Sequence, residues 1–129
     1  MRRASSLLAL LALGCATSPK VADEDQTCPR PSVIVSFTSI CCGIDQEAVR
    51  IVDEVLDHLA FDKNVTRRPW GREGEFDLCI STDNKLAAER VFHTLVLSVP
   101  INPTRPPTTI RIPGGKSFNS TATNDKLAD

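Results

Sequence analysis

A change of hydrophobic period, made twice along the chain, narrows the fold more than any other feature. Residues 32–40 (SVIVSFTSI) are β-branched and aromatic, and Val33, Val35 and Phe37 alternate with Ile34, Ser36 and Thr38. A period of two specifies a strand with one strongly apolar face. After Cys41-Cys42-Gly43-Ile44 the period lengthens. Ala48, Val52, Val55, Leu56 and Leu59 recur at helical spacing through residues 46–60, with Asp45 as N-cap and Glu47 favouring the helix dipole. The second round begins at residues 64–69, a short strand whose Pro69 suits an edge. Trp70-Gly71-Arg72-Glu73-Gly74 forms a tight turn into a third strand over 75–81. There Phe76, Leu78 and Ile80 take one face, and Asp77, Cys79 and Ser81 the other. Asp83 or Asn84 caps a second helix with a buried stripe of Ala88, Val91, Phe92, Leu95 and Val99, ended by Pro100. A strand over 95–101 is the rival reading. The helix is preferred because a ten-residue helix running straight into a strand would leave no connecting loop. A proline-rich loop (102–107) leads to a last strand over 108–112, stopped by Pro113-Gly114-Gly115.

The order β-α-β-β-α-β is the split βαβ, or ferredoxin-like, pattern. Right-handed crossovers then predict an α+β domain over 32–115, with an antiparallel sheet ordered 4-1-3-2 and both helices on one face. Val33, Val35, Phe37, Phe76, Leu78 and Ile80 face the helices, and Cys79 lies on the open face. Residues 116–129 are polar without a core pattern and are expected to be a disordered tail.

The first twenty residues carry an address. Arg2 and Arg3 precede a purely apolar run, Leu7 to Leu13, which fits the charged and apolar regions of a secretory signal. The run is well short of the roughly 20 residues of a membrane-spanning helix. Its end, Leu11-Ala12-Leu13-Gly14-Cys15, resembles the lipobox of bacterial lipoproteins, with Ala12 where Leu is commonest. The resemblance covers the leader alone. It implies a signal peptide over 1–14, fatty acylation of Cys15 as the first mature residue, and a flexible tether over 15–31. It also implies attachment to the bacterial cell envelope, at the periplasmic side of the outer membrane. An ordinary signal cleaved near Ala16 or Ala22 is the alternative. Losing Arg2 and Arg3 with the leader shifts the net charge from −1 to −3. No basic patch with interleaved aromatics points to nucleic acid. The two sequons, Asn64-Val65-Thr66 and Asn119-Ser120-Thr121, would matter only in a eukaryotic secretory pathway, a setting the lipobox argues against.

Cys28, Cys41, Cys42 and Cys79 remain after Cys15. Export makes them disulfide candidates, with three possible pairings. A ring between adjacent cysteines strains the peptide that joins them, so Cys41 and Cys42 are expected to bond separately, one to Cys28 and the other to Cys79.

The predicted topology gathers Ser39 to Asp45 and Trp70 to Glu75 at one pole. That pole holds Cys41, Cys42, Asp45, Trp70, Arg72, Glu73 and Glu75, and it is the candidate interaction site. These two segments also resemble small bacterial proteins with a Ser-Ile-x-x-Gly turn and a Gly-Arg-Glu-Gly-Glu hairpin, a resemblance that brings no activity. In the plainest reading Gly71 and Gly74 serve the turn, Arg72 pairs with Glu73, Glu75 or Asp45, Trp70 covers the end of the core, and Asp45 only caps. A thiolate metal site or redox pair at Cys41 and Cys42 is the second reading, although both lack the two-residue spacer such sites use. His58 and His93 read as surface or boundary residues. Glu73 and Glu75 sit two apart on an extended segment, so both point the same way as a paired-carboxylate site would need, and a solvated hairpin edge explains them better. No hydrolase or phosphate-loop motif is present. The sequence therefore implies no cofactor and no catalytic residue. It implies a non-enzymatic binding or structural module whose partners are the membrane, through its lipid, and a protein or small molecule at the open sheet face or the pole.

Overall fold

A computed structural model describes residues 28–61 and 64–122. The leader, Cys15 and the tether up to residue 27 lie outside the described residues. The elements are β1 (Ser32–Phe37), α1 (Gln46–His58), β2 (Val65–Pro69), β3 (Phe76–Ser81), α2 (Lys85–Ser98), β4 (Thr108–Arg111) and β5 (Ser117–Asn119). They form an α+β fold with a five-stranded antiparallel sheet ordered β2-β3-β1-β4-β5.

β1 lies at the centre because its apolar face finds partners on both sides. Val33, Val35 and Phe37 stand opposite Ile80, Leu78 and Phe76, and Val35 also stands opposite Ile110. Both helices lay their stripes on this face. Ala48, Val52 and Leu56 of α1 join Ala88, Val91, Phe92 and Leu95 of α2 in one buried cluster with the strand residues. The caps are as the sequence requires: Asp45 Oδ1 accepts from the amides of Glu47 and Ala48 (3.1 and 3.2 Å), and Asn84 Oδ1 from that of Ala87 (2.8 Å). α1 stops two residues early, where Ala60 takes a left-handed φ of 58°. No helix among the described residues is long and apolar enough to cross a membrane.

Three expectations need correction. First, the sheet has five strands, so the four-stranded pattern is incomplete. The expected tail supplies β5, in which Phe118 stands opposite Ile110 and packs against the core. Ser120 is buried beyond it: its Oγ accepts from the Thr108 amide (2.9 Å), and its own amide donates to the Thr108 carbonyl (3.0 Å). A three-residue strand with one apolar side chain is too short to show a period, which is why the polar composition hid it.

Second, residues 28–31 are part of the domain and not of a tether. Cys28 is 2 % exposed and packs with Ile34 and Cys79 on the sheet face away from the helices. The Thr82 amide and hydroxyl both donate to the Pro31 carbonyl (3.0 Å each). Third, the disulfides pair Cys28 with Cys79 and Cys41 with Cys42. Separate bonding of the adjacent cysteines fails because Cys79 sits mid-strand beneath the residue-28 strap. Its Cα is 5.8 Å from that of Cys28, ordinary disulfide spacing.

Bridging Cys28 to Cys79 closes a chain separation of 51 residues. The double variant Cys28→Ser/Cys79→Ser should lose about 2–5 kcal/mol of unfolding free energy. The loss is read as a lower denaturant midpoint at unchanged slope.

Candidate functional site

The end of the domain where β1 finishes is built from three connections. Ser39, after β1, donates from its Oγ to Glu73 Oε2 in the β2–β3 turn, and the same Oγ accepts from the Gly43 amide (3.2 Å). The Thr38 amide donates to the Pro107 carbonyl (3.0 Å), joining the α2–β4 loop. Arg105 of that loop donates to Asp45 Oδ1 (3.2 Å). The two segments predicted to meet at this pole therefore do meet, through Ser39 and Glu73.

The details differ from the plain reading. Asp45 caps α1, and its ion partner is Arg105, a half-exposed contact worth about 0–1 kcal/mol. Among the described residues, no ion pair joins Arg72 to Glu73, Glu75 or Asp45. Nothing in the sequence signalled Arg105, because the return path of a proline-rich loop carries no period. Trp70 does not cover the core. It follows Pro69, which faces the helices, so it falls on the opposite face, where its Nε1 donates to Asp77 Oδ1 (2.8 Å) and the ring stays 43 % exposed. Arg67 takes the core-side edge instead, its guanidinium 3.6 Å from the Phe76 ring centroid.

Glu73 and Glu75 do not form an acid–base pair. Glu75 turns inward, its Oε2 accepting from the Glu73 amide (2.8 Å) and its carboxyl lying against the Cα of Gly71. Gly71 has a φ of +70°, so the turn requires glycine there for both conformation and space. Glu75 thus organises the hairpin from within, while Glu73 is held by Ser39. Cys41 and Cys42 are exposed at the same end and are bonded to each other, so neither offers a thiolate to a metal. No group of three or more His, Cys, Asp or Glu among the described residues could hold a metal ion. His58 and His93 are exposed and lie away from this end, on α1 and α2. Near His93 Nε2 are Glu89 Oε2 at 3.5 Å and Lys116 Nζ at 3.4 Å.

Side chains that the sequence did not single out complete the pole. Ile40 (65 % exposed) follows β1, Leu97 (87 %) is in the last turn of α2, and Ile101 (62 %) is in the loop after it. Together with Trp70 they are four of the five large apolar side chains exposed among the described residues; the fifth, Leu86, is at the start of α2. Their signal was available as apolar residues outside any period.

No protein-family model, curated protein or solved structure matches this chain. The geometry of the pole therefore carries the functional reading alone.

Gly71→Ala should lower stability by about 1–2 kcal/mol, the cost of a side chain at positive φ, and should also displace the Glu75 carboxyl. Thermal unfolding gives the first. The Glu73 amide, losing its acceptor, should exchange faster with deuterium.

Proposed function

We propose that the chain is the precursor of an envelope lipoprotein, acylated at Cys15, whose domain is a non-enzymatic module that binds a protein partner through the Trp70 pole. The unit β1-α1-β2-β3-α2-β4 is read as ferredoxin-like, with β5 added at its edge. The observation that carries the proposal is the concentration of Ile40, Trp70, Leu97 and Ile101 at one end of the domain. Exposed apolar residues at the same end as Asp45, Arg105, Arg72 and Glu73 have the mixed apolar and charged composition of a protein–protein surface.

Orientation supports the reading. The chain enters the domain at Cys28, and β1 then runs to the Trp70 pole. Six strand residues put that pole about 20 Å from the entry point. Twelve residues lie between Cys15 and Cys28, so the connection reaches up to about 45 Å. A lipid on Cys15 would attach the domain at its entry end and leave the pole, at the other end, free to meet a partner. The open sheet face, the other surface considered, suits a partner less well, because the Cys28 strap occupies part of it.

The accessible Cys41–Cys42 pair supports a second reading, in which a dithiol reductant opens this bond and alters the pole. In that case Cys41→Ser/Cys42→Ser would abolish a reductant-dependent change in binding. Metal binding has less support while the two sulfurs are joined.

Expressed in a bacterium, the chain should label with radioactive palmitate and fractionate with membranes, and Cys15→Ser should abolish both. A photo-crosslinking residue at position 70 should trap a discrete protein partner, whereas one at position 86 should not. An unlabelled, uncleaved chain in the cytosol would contradict the lipoprotein assignment. Equal crosslinking at 70 and 86 would contradict the assignment of the pole.

A further inference from the structure

The two disulfides among the described residues differ in access. Cys28 and Cys79 are each 2 % exposed, with Ile34 packed against them. Cys41 and Cys42 are exposed in the β1–α1 loop and bonded to each other. We propose that the Cys41–Cys42 bond is a site of thiol–disulfide exchange whose substrate is a dithiol, and that its opening loosens the tie between the β1–α1 loop and the β2–β3 turn. The bond is the one named in the second reading, on which this rests; what is added is its selectivity and its route to the pole.

Access decides the selectivity. Exchange begins when a thiolate reaches a disulfide sulfur, so its rate follows exposure. A thiolate of the dithiol attacks one sulfur of the pair and forms a mixed disulfide. The bond between the two cysteines breaks, and the other cysteine leaves with the electron pair and takes a proton. The second thiol of the reductant then attacks the reductant's own sulfur in the mixed disulfide. That closes the reductant's disulfide and releases the remaining cysteine, which is protonated in turn. The dithiol is oxidised by two electrons and the pair is reduced by two. Burial denies the same approach at Cys28 and Cys79.

The route to the pole runs through the residues that bracket the pair. Ser39 Oγ accepts from the Gly43 amide (3.2 Å), so the loop turns back on itself across residues 40–42. Gly43 makes this return with a φ of +105°, in the left-handed region that favours glycine. The same Ser39 Oγ donates to Glu73 Oε2 in the β2–β3 turn. Two closures therefore hold the return, the covalent ring at Cys41–Cys42 and one neutral hydrogen bond at the surface. Opening the ring leaves only the hydrogen bond, for which water competes. Once the Gly43 amide leaves it, the Ser39 hydroxyl is free to turn from Glu73. Ile40, 65 % exposed and next to Cys41, belongs to the apolar patch of the pole and moves with the loop.

The test uses the purified full chain and dithiothreitol as the dithiol. Thiols released at rising dithiothreitol are alkylated and located by proteolysis and mass spectrometry. Amide exchange and resonances are followed by NMR before and after reduction. Two labels on the Cys41–Cys42 peptide are expected at concentrations that leave Cys28 and Cys79 unlabelled. In that state the Gly43 amide should exchange about tenfold faster, the loss of one hydrogen bond, and the amide resonances of Arg72 and Glu73 should shift. Cys41→Ser/Cys42→Ser should show the fast exchange and the shifted resonances without reductant, and dithiothreitol should add nothing. Ser39→Ala should shift the same turn resonances in the oxidised protein. A pair that stays unlabelled would overturn the inference together with the second reading. Labelling of Cys28 and Cys79 at the same concentration, or a reduced pair with Gly43 and the turn unchanged, would overturn the inference alone.

Discussion

Everything distinctive about the domain depends on the bond between Cys28 and Cys79. The central sheet needs no help to bury its helix-facing side, where Val33, Val35, Phe37, Phe76, Leu78, Ile80 and Ile110 meet two amphipathic helices. Among the described residues the strands bury only Ile34 and Cys79 as apolar side chains on the opposite side, too few for a core. The strap carrying Cys28 covers them, and the disulfide holds it there at a cost in chain entropy borne by the unfolded state. With the strap in place, Pro31 accepts from Thr82, Ser32 is sealed in, and Arg30 lies against the Gly114 turn. The same bond therefore fixes where the described chain enters the domain.

The two ends then differ in chemistry for reasons traceable to the strands. Where β1 finishes, three connections pack through polar contacts of Ser39, Glu73, Asp45 and Arg105, and those contacts leave the apolar side chains of Ile40, Leu97 and Ile101 on the outside. The Trp70 ring stays half exposed because alternation along β2 turns it from the core, and Asp77 holds its indole N–H. Where β1 begins, the start of α2 and a glycine turn bring cations together. The exposed apolar side chains at one end and the charged side chains at the other follow from one arrangement of strands.

Much of the fold was legible because long amphipathic segments declare their period. The strand alternation of residues 32–37, the stripes of both helices, the Asp45 cap and the order of the first four strands all follow from it. Elements without a period were not legible. β5 has one apolar residue, Phe118, and its anchor is the hydroxyl of Ser120, a contact no pattern announces. The Cys28 strap looks like a linker because its role is covalent. Local strain argued against joining Cys41 to Cys42, yet the mid-strand position of Cys79 beneath the residue-28 strap decided the pairing. At the pole, Ser39–Glu73 proximity was foreseeable from antiparallel pairing, whereas Arg105 came from a loop whose path only tertiary contacts determine.

The most direct test is disulfide mapping of the natively purified, unreduced protein by proteolysis and mass spectrometry. The expected products are a peptide containing Cys28 joined to one containing Cys79, and a Cys41–Cys42 peptide lighter by two hydrogens than its reduced form. A peptide linking Cys28 or Cys79 to residues 41–42, or free thiols at positions 28 and 79, would contradict it.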